Sequence, residues 1–293
     1  MTEITRREAM GTMAAGVASS AWLAACKARP LQGGANPVAP ALFISHGAPT
    51  LAGETDGFAA ELASWGRALG RPRAAVVVSA HWVANVAHTG VEQQAELFYD
   101  FGGFPDELYR IRYEAPGWPE LAARVRELTG APAERERPLD HGVWVPMMKM
   151  YPDADVPIVQ VALPLRAGPA GWIELGRRLA PLRKDGVAII GSGGAVHNLR
   201  RLAWHGGGEL APWASAFDGW VADVVGRGDL AALGRVLEDA PGLRDAHPTV
   251  EHLAPMLVAA GAAAGEAETL PPATFPITGW VMGSLSMRSI QWS

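Results

Sequence analysis

The segment Ala74-Ala75-Val76-Val77-Val78-Ser79-Ala80-His81 is the clearest indication of the fold, because it is an apolar, β-branched run that ends in a histidine. Similar apolar runs occupy residues 41–45, 157–163 and 187–191, and amphipathic segments lie near 56–69, 117–129 and 169–184. Apolar strands that alternate with helices are typical of a parallel sheet buried on both faces. The sequence therefore predicts an α/β domain with a mostly parallel central sheet flanked by helices.

The carboxyl-terminal part of the chain adds two helices and a strand to this prediction. Residues 210–226 and 249–263 are expected to be helical, and Gly279 to Gln291 is expected to form a closing strand, antiparallel at an edge of the sheet. No internal repeat and no linker interrupt the sequence after residue 40. We therefore expect residues 41–293 to form a single domain.

Three of the eight histidines follow predicted strands. His46 and His81 come directly after two of them, and His197 follows a third through a glycine-rich turn. Open α/β sheets bind ligands at the carboxyl ends of their strands, and neutral imidazole is the commonest protein metal ligand. Each histidine alone could be a core residue bonded to a backbone carbonyl. Their shared placement favours a metal site at this edge of the sheet.

Composition argues against nucleic acid as the main partner. The 293 residues carry a formal net charge of −5, and no run of Lys or Arg occurs in the region after the amino-terminal segment. Binding to a phosphate backbone requires a basic patch, which this sequence does not present. With 49% hydrophobic and 19% charged residues, the chain has the composition of an ordinary globular protein.

The amino-terminal segment predicts export. Residues 1–26 contain the pair Arg6-Arg7 followed by a small, apolar stretch from Ala9 to Ala25, as in a twin-arginine signal peptide. The stretch ends at Cys26, the only cysteine, in a context like a lipoprotein box, although an ordinary cleaved signal remains an alternative. Residues 27–40 are expected to be a flexible tether. We expect a location in the periplasm or cell envelope, with membrane attachment only through a lipid on Cys26.

Two loops carry side chains suited to a ligand site. Residues 98–105 are aromatic and glycine-rich, which suits either a pocket wall or a surface loop packed on the core. The second loop sets His141 just before an apolar helix. Its neighbour Asp140 could orient the His141 ring or cap that helix, and the sequence leaves both roles open.

Seven short motifs follow one another along the chain, at Ile44–Pro49, Val78–Trp82, Asp100–Pro105, Asp140–Trp144, Met150–Pro157, Ser192–Leu199 and Gly283–Met287. In this order they resemble the class III extradiol aromatic-ring-opening dioxygenases, which have the LigB-type catalytic subunit fold. The similarity is strongest to the DOPA-dioxygenase branch of that family. It spans roughly residues 41 to 288, nearly the whole predicted domain.

The resemblance implies roles for individual residues. It implies a metal held by His46, His81 and, as third ligand, His252, with Glu251 as a competitor for the third place. His197 is expected in or beside this ligand set, as a fourth ligand when the metal is zinc. His141 is expected to be the catalytic acid and base.

The function implied is metal-dependent extradiol cleavage of a catechol, DOPA- or protocatechuate-like, with O₂ as co-substrate. Fe(II) is the expected metal for activity, and Zn(II) could occupy the same site. A carboxylate on the substrate would need a cation, for which Arg200, Arg201 and Arg110 are candidates. One alternative is a zinc hydrolase on the same scaffold. Another is a non-enzymatic binding relative, which would be expected to lack the ligands or His141.

Overall fold

The computed structural model of the chain describes residues 38–90, 96–204 and 209–293. The predicted signal peptide, and the predicted tether up to residue 37, lie outside this part of the chain. At the start of the described region, Ala39 is buried, and its backbone N–H donates to the Arg183 carbonyl at 2.9 Å. The Arg183 Nε–H donates back to the Ala39 carbonyl at 2.6 Å. Ala39, which lies just ahead of the predicted domain start, is therefore packed against the domain.

The described residues form an α/β domain. Its strands are β1 (Ala41–Ser45), β2 (Ala74–Ala84), β3 (Thr89–Gly90), β4 (Ala133–Glu134), β5 (Ile158–Pro164), β6 (Val187–Gly193), β7 (Ala273–Ile277), β8 (Trp280–Val281), β9 (Leu285–Ser286) and β10 (Ser289–Trp292). Its helices are α1 (Gly57–Leu69), α2 (Pro119–Thr129), α3 (His141–Met150), α4 (Gly168–Leu179), α5 (Pro212–Gly226), α6 (Leu230–Gly234), α7 (Val236–Asp239), α8 (Leu243–Ala246) and α9 (Ala254–Ala264). Within the described ranges, no helix is both long enough and apolar enough to cross a membrane.

The main sheet has the strand order β4-β3-β5-β2-β6-β1-β10-β7. Its four central strands, β5, β2, β6 and β1, pair in parallel, whereas β10 pairs antiparallel with both β1 and β7. Strands β8 and β9 form a separate antiparallel pair. The carboxyl ends of β1, β2 and β6 therefore meet at one edge of the sheet, as the strand-end histidines require.

The central strands are buried on both faces. In β2, Val76 and Val78 face one apolar core with α2, α4, α5 and α9, whereas Ala75 and Val77 face a second core with α1 and α3. This alternation follows from the two-residue period of a strand. It explains why these strands are apolar without a break, and it confirms the predicted fold class.

Two predicted elements differ in detail. The last long helix begins at Ala254 rather than near residue 249, so that residues 249–253 form a turn. The carboxyl-terminal strand is antiparallel, as predicted, but β10 is not an edge strand because β7 pairs with its outer side. Strands β3, β4 and β7 were not predicted, and β3 and β4 are only two residues long. Strands β8 and β9 lie within Gly279 to Gln291, where the structure forms β8, β9 and most of β10 instead of the single predicted closing strand.

Candidate metal centre

Three of the predicted ligands come together at the carboxyl edge of the sheet. His46, His81 and His252 each offer a ring nitrogen, and these three nitrogens lie within 4.8 Å of one another. The ring centroids are 4.9 Å apart for His46 and His81, and 5.0 Å apart for His81 and His252. His46 and His252 are buried. The cluster is therefore compact and largely shielded from water.

His46 directly follows β1, and its tautomer is set by a buried serine. The His46 Nδ1 lies 2.9 Å from the Ser192 Oγ, on the neighbouring strand β6. The Ser192 hydroxyl donates its hydrogen to the Gly142 carbonyl, which can only accept. Ser192 must therefore accept a hydrogen bond from the His46 Nδ1–H. In the neutral ring, the lone pair is then on Nε2, which lies 3.1 Å from the His81 Nε2.

His81 lies within β2 rather than after it. Strand β2 continues to Ala84, but its register with β5 shifts between Ser79 and Val83, so that His81 sits in an irregular stretch. Such irregularities re-aim side chains, and they are common beside active sites. The His81 Nδ1 lies 3.3 Å from the Asp100 Oδ2.

His252 lies in the turn before α9. This turn approaches β6 closely, because a Cβ on Gly193 would be only 2.1 Å from the His252 carbonyl oxygen. The His252 Nδ1 is 3.1 Å from the Glu251 Oε1, and its Nε2 is buried without a hydrogen-bond partner among the described residues. Burial alone would raise the pKa of Glu251, but the bond from His252 and other hydrogen bonds lower it to about 2. Glu251 therefore contacts the His252 ring and does not belong to the compact group of three ring nitrogens.

The donor set fits a divalent transition metal. The neutral His46 ring presents Nε2 without a hydrogen, and the His252 Nε2 is buried without a hydrogen-bond partner among the described residues. An unpartnered buried polar atom costs about 1–3 kcal/mol. Burial, and then the neighbouring histidines, lower the pKa of His46 well below its usual value and that of His81 to about 2. The rings are therefore neutral at pH 7, which is the form that binds metals.

His197 lies beside these three ligands and is not part of the compact group. Its ring stacks on the His252 ring at a centroid distance of 3.5 Å and an interplanar angle of 5°. Burial and the neighbouring His252 lower the pKa of His197 to about 3. In this arrangement His197 fixes the plane of the His252 ring.

His141 is the first residue of α3, and its ring centroid lies 4.0 Å from that of His81. Its backbone N–H donates to the Asp100 Oδ1 at 2.9 Å, and its Nδ1 lies 2.9 Å from the same oxygen. The expected partner, Asp140, makes neither a bond to His141 nor a side-chain cap. It is fully buried, and its carboxylate binds Ser79, Gln160 and Arg137. Burial raises the pKa of Asp140.

A cavity of about 760 Å³ opens from the histidine cluster. Phe101 and Phe104 line it, so the aromatic loop is a pocket wall. Of the three candidate cations for a substrate carboxylate, Arg200 lines the cavity, whereas Arg201 pairs with Asp245 and Arg110 pairs with Asp106. Among these three candidates, Arg200 alone lines the described cavity.

Asp100 and Ser192 are partners of the site histidines that the sequence did not predict. Asp100 is the first residue of the aromatic motif at 100–105, so a carboxylate opening an apolar loop was the available signal. Ser192 is a hydroxyl in an otherwise apolar, fully buried strand. A buried hydroxyl needs a partner, but the sequence does not say which one.

The chain is similar to known proteins over most of its length. Residues 40–279 match the family described as the catalytic LigB subunit of aromatic ring-opening dioxygenase. The 4,5-DOPA dioxygenase extradiol of Escherichia coli K12 is 40% identical over 259 residues, covering 86% of this chain and 94% of that protein. The Beta vulgaris enzyme of the same name is 39% identical, covering 75% of this chain and 85% of the relative.

A solved structure has the same fold. The crystal structure of an uncharacterized protein from Escherichia coli K12 superposes with a TM-score of 0.71 at 34% sequence identity. The match covers 87% of this chain and 99% of that protein. The similarity therefore extends over the sheet and the helices that position the histidines.

Proposed function

This chain belongs to the family of the catalytic LigB subunit of aromatic ring-opening dioxygenases, and from that premise we propose that it opens a catechol ring by extradiol cleavage with O₂. The observation that carries the proposal is the convergence of His46, His81 and His252 at the end of a cavity with aromatic walls. Three protein ligands leave coordination positions open, as this chemistry requires.

In this proposal, His46, His81 and His252 would hold Fe(II), which would supply the redox chemistry of O₂. Zn(II) would occupy the same nitrogens without redox chemistry. Phe101 and Phe104 pack against the ring of the substrate. His141 accepts a proton from a catechol hydroxyl and later returns one, because imidazole can act in both directions near neutral pH.

The test is O₂ uptake by protein lacking residues 1–26, loaded anaerobically with Fe(II) and given a panel of catechols, beside a Zn(II)-loaded sample. We expect uptake and a yellow ring-opened product in the iron sample alone. Bound metal without uptake for any catechol would contradict the proposal and favour a zinc hydrolase. His46→Ala and His81→Ala should lose the metal, whereas His141→Ala should keep it and lose turnover.

For the substrate, we propose a catechol with a carboxylate-bearing side chain. Arg200 lines the cavity and makes no ion pair with another described residue, and Glu54 lines the same cavity. Together they could bind a tail that carries both charges, as DOPA does. Arg200→Gln should raise KM for such a catechol roughly tenfold, which corresponds to about 1.4 kcal/mol. KM for 4-methylcatechol should stay unchanged, and an equal rise for both substrates would contradict the role of Arg200.

We also propose that the chain is exported to the periplasm or cell envelope, on the strength of the Arg6-Arg7 pair and the apolar stretch that follows it. Replacing both arginines by lysine should retain the full-length protein in the cytoplasm, as cell fractionation would detect. Cys26→Ser should release an exported protein from the membrane fraction. An unchanged distribution in both variants would contradict export and lipidation.

A further inference from the structure

Asp100 joins the two histidines to which the proposed function assigns different roles. Its Oδ1 accepts the backbone N–H of His141 at 2.9 Å and lies 2.9 Å from the His141 Nδ1. Its Oδ2 lies 3.3 Å from the Nδ1 of His81, a candidate metal ligand. The Asp100 side chain is only 11% exposed, so water competes little for these contacts.

The contact between His46 and His81 makes the position of the His81 hydrogen decisive. Their Nε2 atoms are 3.1 Å apart, and Ser192 already sets the His46 Nε2 as an acceptor. If the His81 hydrogen were on Nε2, the two rings would form an N–H···N hydrogen bond, and neither Nε2 would have a free lone pair to bind a metal. If it is on Nδ1, both Nε2 lone pairs remain available to a cation.

We propose that Asp100 is the positioning residue that places the hydrogen of both His81 and His141 on Nδ1, leaving both Nε2 atoms free. An ionised carboxylate only accepts hydrogen bonds, so the His141 Nδ1, which is at hydrogen-bond distance from the Oδ1, must be a donor. The Oδ2 lies 3.3 Å from the His81 Nδ1, where its negative charge attracts an N–H and repels a lone pair. A carboxylate behind a ligand ring fixes the tautomer and orientation of that ring. The inference rests on the proposed function only for the roles of the two rings.

The loop that carries Asp100 is held firmly at its start. The Phe98 N–H donates to the Leu139 carbonyl at 2.7 Å, and the Trp144 Nε1–H donates to the Phe98 carbonyl at 3.3 Å. Phe101, which follows Asp100 in the chain, lines the cavity, and its ring lies edge-on to that of His141 at a centroid distance of 5.8 Å. One loop therefore provides an aromatic wall and the carboxylate behind both histidines.

Consequently, Asp100 prepares His141 as a base. With the hydrogen on Nδ1, the Nε2 lone pair of the neutral ring is available for a catechol proton. The carboxylate also stabilises the imidazolium that results, through the contact at 2.9 Å. Asp140, the neighbour in sequence, cannot do this because its oxygens bind Ser79, Gln160 and Arg137.

The decisive variant is Asp100→Asn, which has the same shape but only one acceptor. Its amide oxygen should face the fixed backbone N–H of His141, so its NH₂ group would face the His81 Nδ1. That nitrogen would then have to accept, which moves the His81 hydrogen to Nε2 and favours the hydrogen-bonded His46–His81 pair. We expect Zn(II) affinity, measured by chelator competition, to fall roughly 10- to 100-fold without loss of the fold.

Two further variants separate positioning from general damage. Asp100→Glu keeps two acceptor oxygens and should recover part of the Zn(II) affinity that Asp100→Asn loses. Asp106→Asn removes an exposed carboxylate of the same region, paired with Arg110, and should bind Zn(II) as the parent does. Equal losses in Asp100→Asn and Asp100→Glu would overturn the proposal.

The unsubstituted protein provides a measurement that does not depend on folding of a variant. In ¹⁵N NMR of the metal-free protein, the hydrogens of His81 and His141 should be on Nδ1, and a hydrogen on Nε2 of His81 would overturn the proposal. Unchanged Zn(II) affinity in Asp100→Asn would also overturn it. A third result would overturn it as well: the parent binds two equivalents of Zn(II), and Asp100→Asn binds only one. Asp100 would then be a metal ligand together with His81 and His141.

The proposed function can fail separately. If Asp100→Asn loses Zn(II) but the parent consumes no O₂ with any catechol, the positioning role stands and the dioxygenase activity is wrong.

Discussion

The three candidate ligands differ in the group that lies next to the Nδ1 atom of each ring. The Nδ1 of His46 faces the neutral Ser192 hydroxyl, whereas His81 and His252 face the carboxylates of Asp100 and Glu251. A dication held by the three rings would thus have two negative charges directly behind the rings that hold it. Compensating charge lowers the cost of burying an ion. The site can therefore hold a divalent metal without a carboxylate as a direct ligand.

We expect Ser192→Ala to weaken metal binding without removing a ligand. The change leaves the His46 Nδ1–H and the Gly142 carbonyl without their partner, and it frees the His46 ring to change tautomer. Loss of such a supporting bond lowers metal affinity roughly 10- to 100-fold. Chelator competition with Zn(II) measures this effect.

The control is Ser284→Ala, which removes another buried serine. Its hydroxyl makes only a long bond of 3.5 Å to the Arg201 carbonyl. Zn(II) affinity should remain at the parent value. If the two variants lose affinity equally, the role assigned to Ser192 is wrong.

The site histidines could be predicted from sequence, but their partners could not. Strand ends and motif order single out His46, His81, His141, His197 and His252. Asp100 and His141 are separated by 41 positions, and His46 and Ser192 by 146. Local patterns do not determine which polar groups meet across such separations. The adjacent Asp140 was therefore considered for a role that Asp100 fills.

At the scale of elements, apolar periodicity located the buried strands and missed the short ones. Strands β1, β2, β5 and β6 carry long apolar runs because helices cover both faces of the sheet. Strands such as β3 and β4 are two residues long, and no periodicity can develop over that length. The extension of β2 past His81 follows from a register shift, which depends on pairing with β5.

Helices α4 and α9 cross at a glycine pair, and we expect Gly261→Ala to destabilise the fold. A Cβ on Gly261 would lie 2.0 Å from the Ile173 carbonyl oxygen, and one on Gly176 would lie 1.9 Å from that of Val258. Backbone atoms cannot rotate away, so the helices would have to separate. The free energy of unfolding should fall by about 2–3 kcal/mol in urea denaturation.

Gly219→Ala provides the matched control in α5. A Cβ at this position would meet nothing within 4 Å. Alanine should therefore stabilise the protein by about 0.5–1 kcal/mol, since glycine is the poorer helix former. A stability loss at Gly219 as large as that at Gly261 would refute the close crossing as the cause.

At the scale of the whole molecule, buried histidines make stability depend on pH. Burial is the largest cause of the lowered pKa of His46, His81, His197 and His247, the last of which falls to about 4. The folded protein keeps these rings neutral, while the unfolded chain protonates them near pH 6.5. Between these values the unfolded state binds more protons, so stability falls as pH falls.

We therefore expect the metal-free protein to lose stability from pH 6.5 downward, by up to about 1.4 kcal/mol per pH unit for each such ring. Stability should be nearly independent of these rings above pH 7. Urea denaturation at pH 7, 6 and 5 measures the slope. Equal stability at all three values would contradict burial of neutral histidines.

His247→Gln tests one ring that lies outside the ligand group. The His247 Nε2 is 3.0 Å from the Ala195 carbonyl, and a glutamine amide can replace it as the donor. The variant should reduce the slope by the contribution of one group, without changing Zn(II) affinity. An unchanged slope would mean that His247 is protonated in the folded state.

Sequence patterns among neighbouring residues were enough to predict the fold class, the central strands and the histidines at the sheet edge. Apolar period and motif order are properties of neighbouring residues, so they can be recognised without coordinates. Strand order, the turn that carries His252 and the pairing of Asp100 with His81 and His141 depend on contacts between distant segments. Hydrogen-bond partners are chosen by proximity in the folded state, and only the tertiary structure determines that proximity.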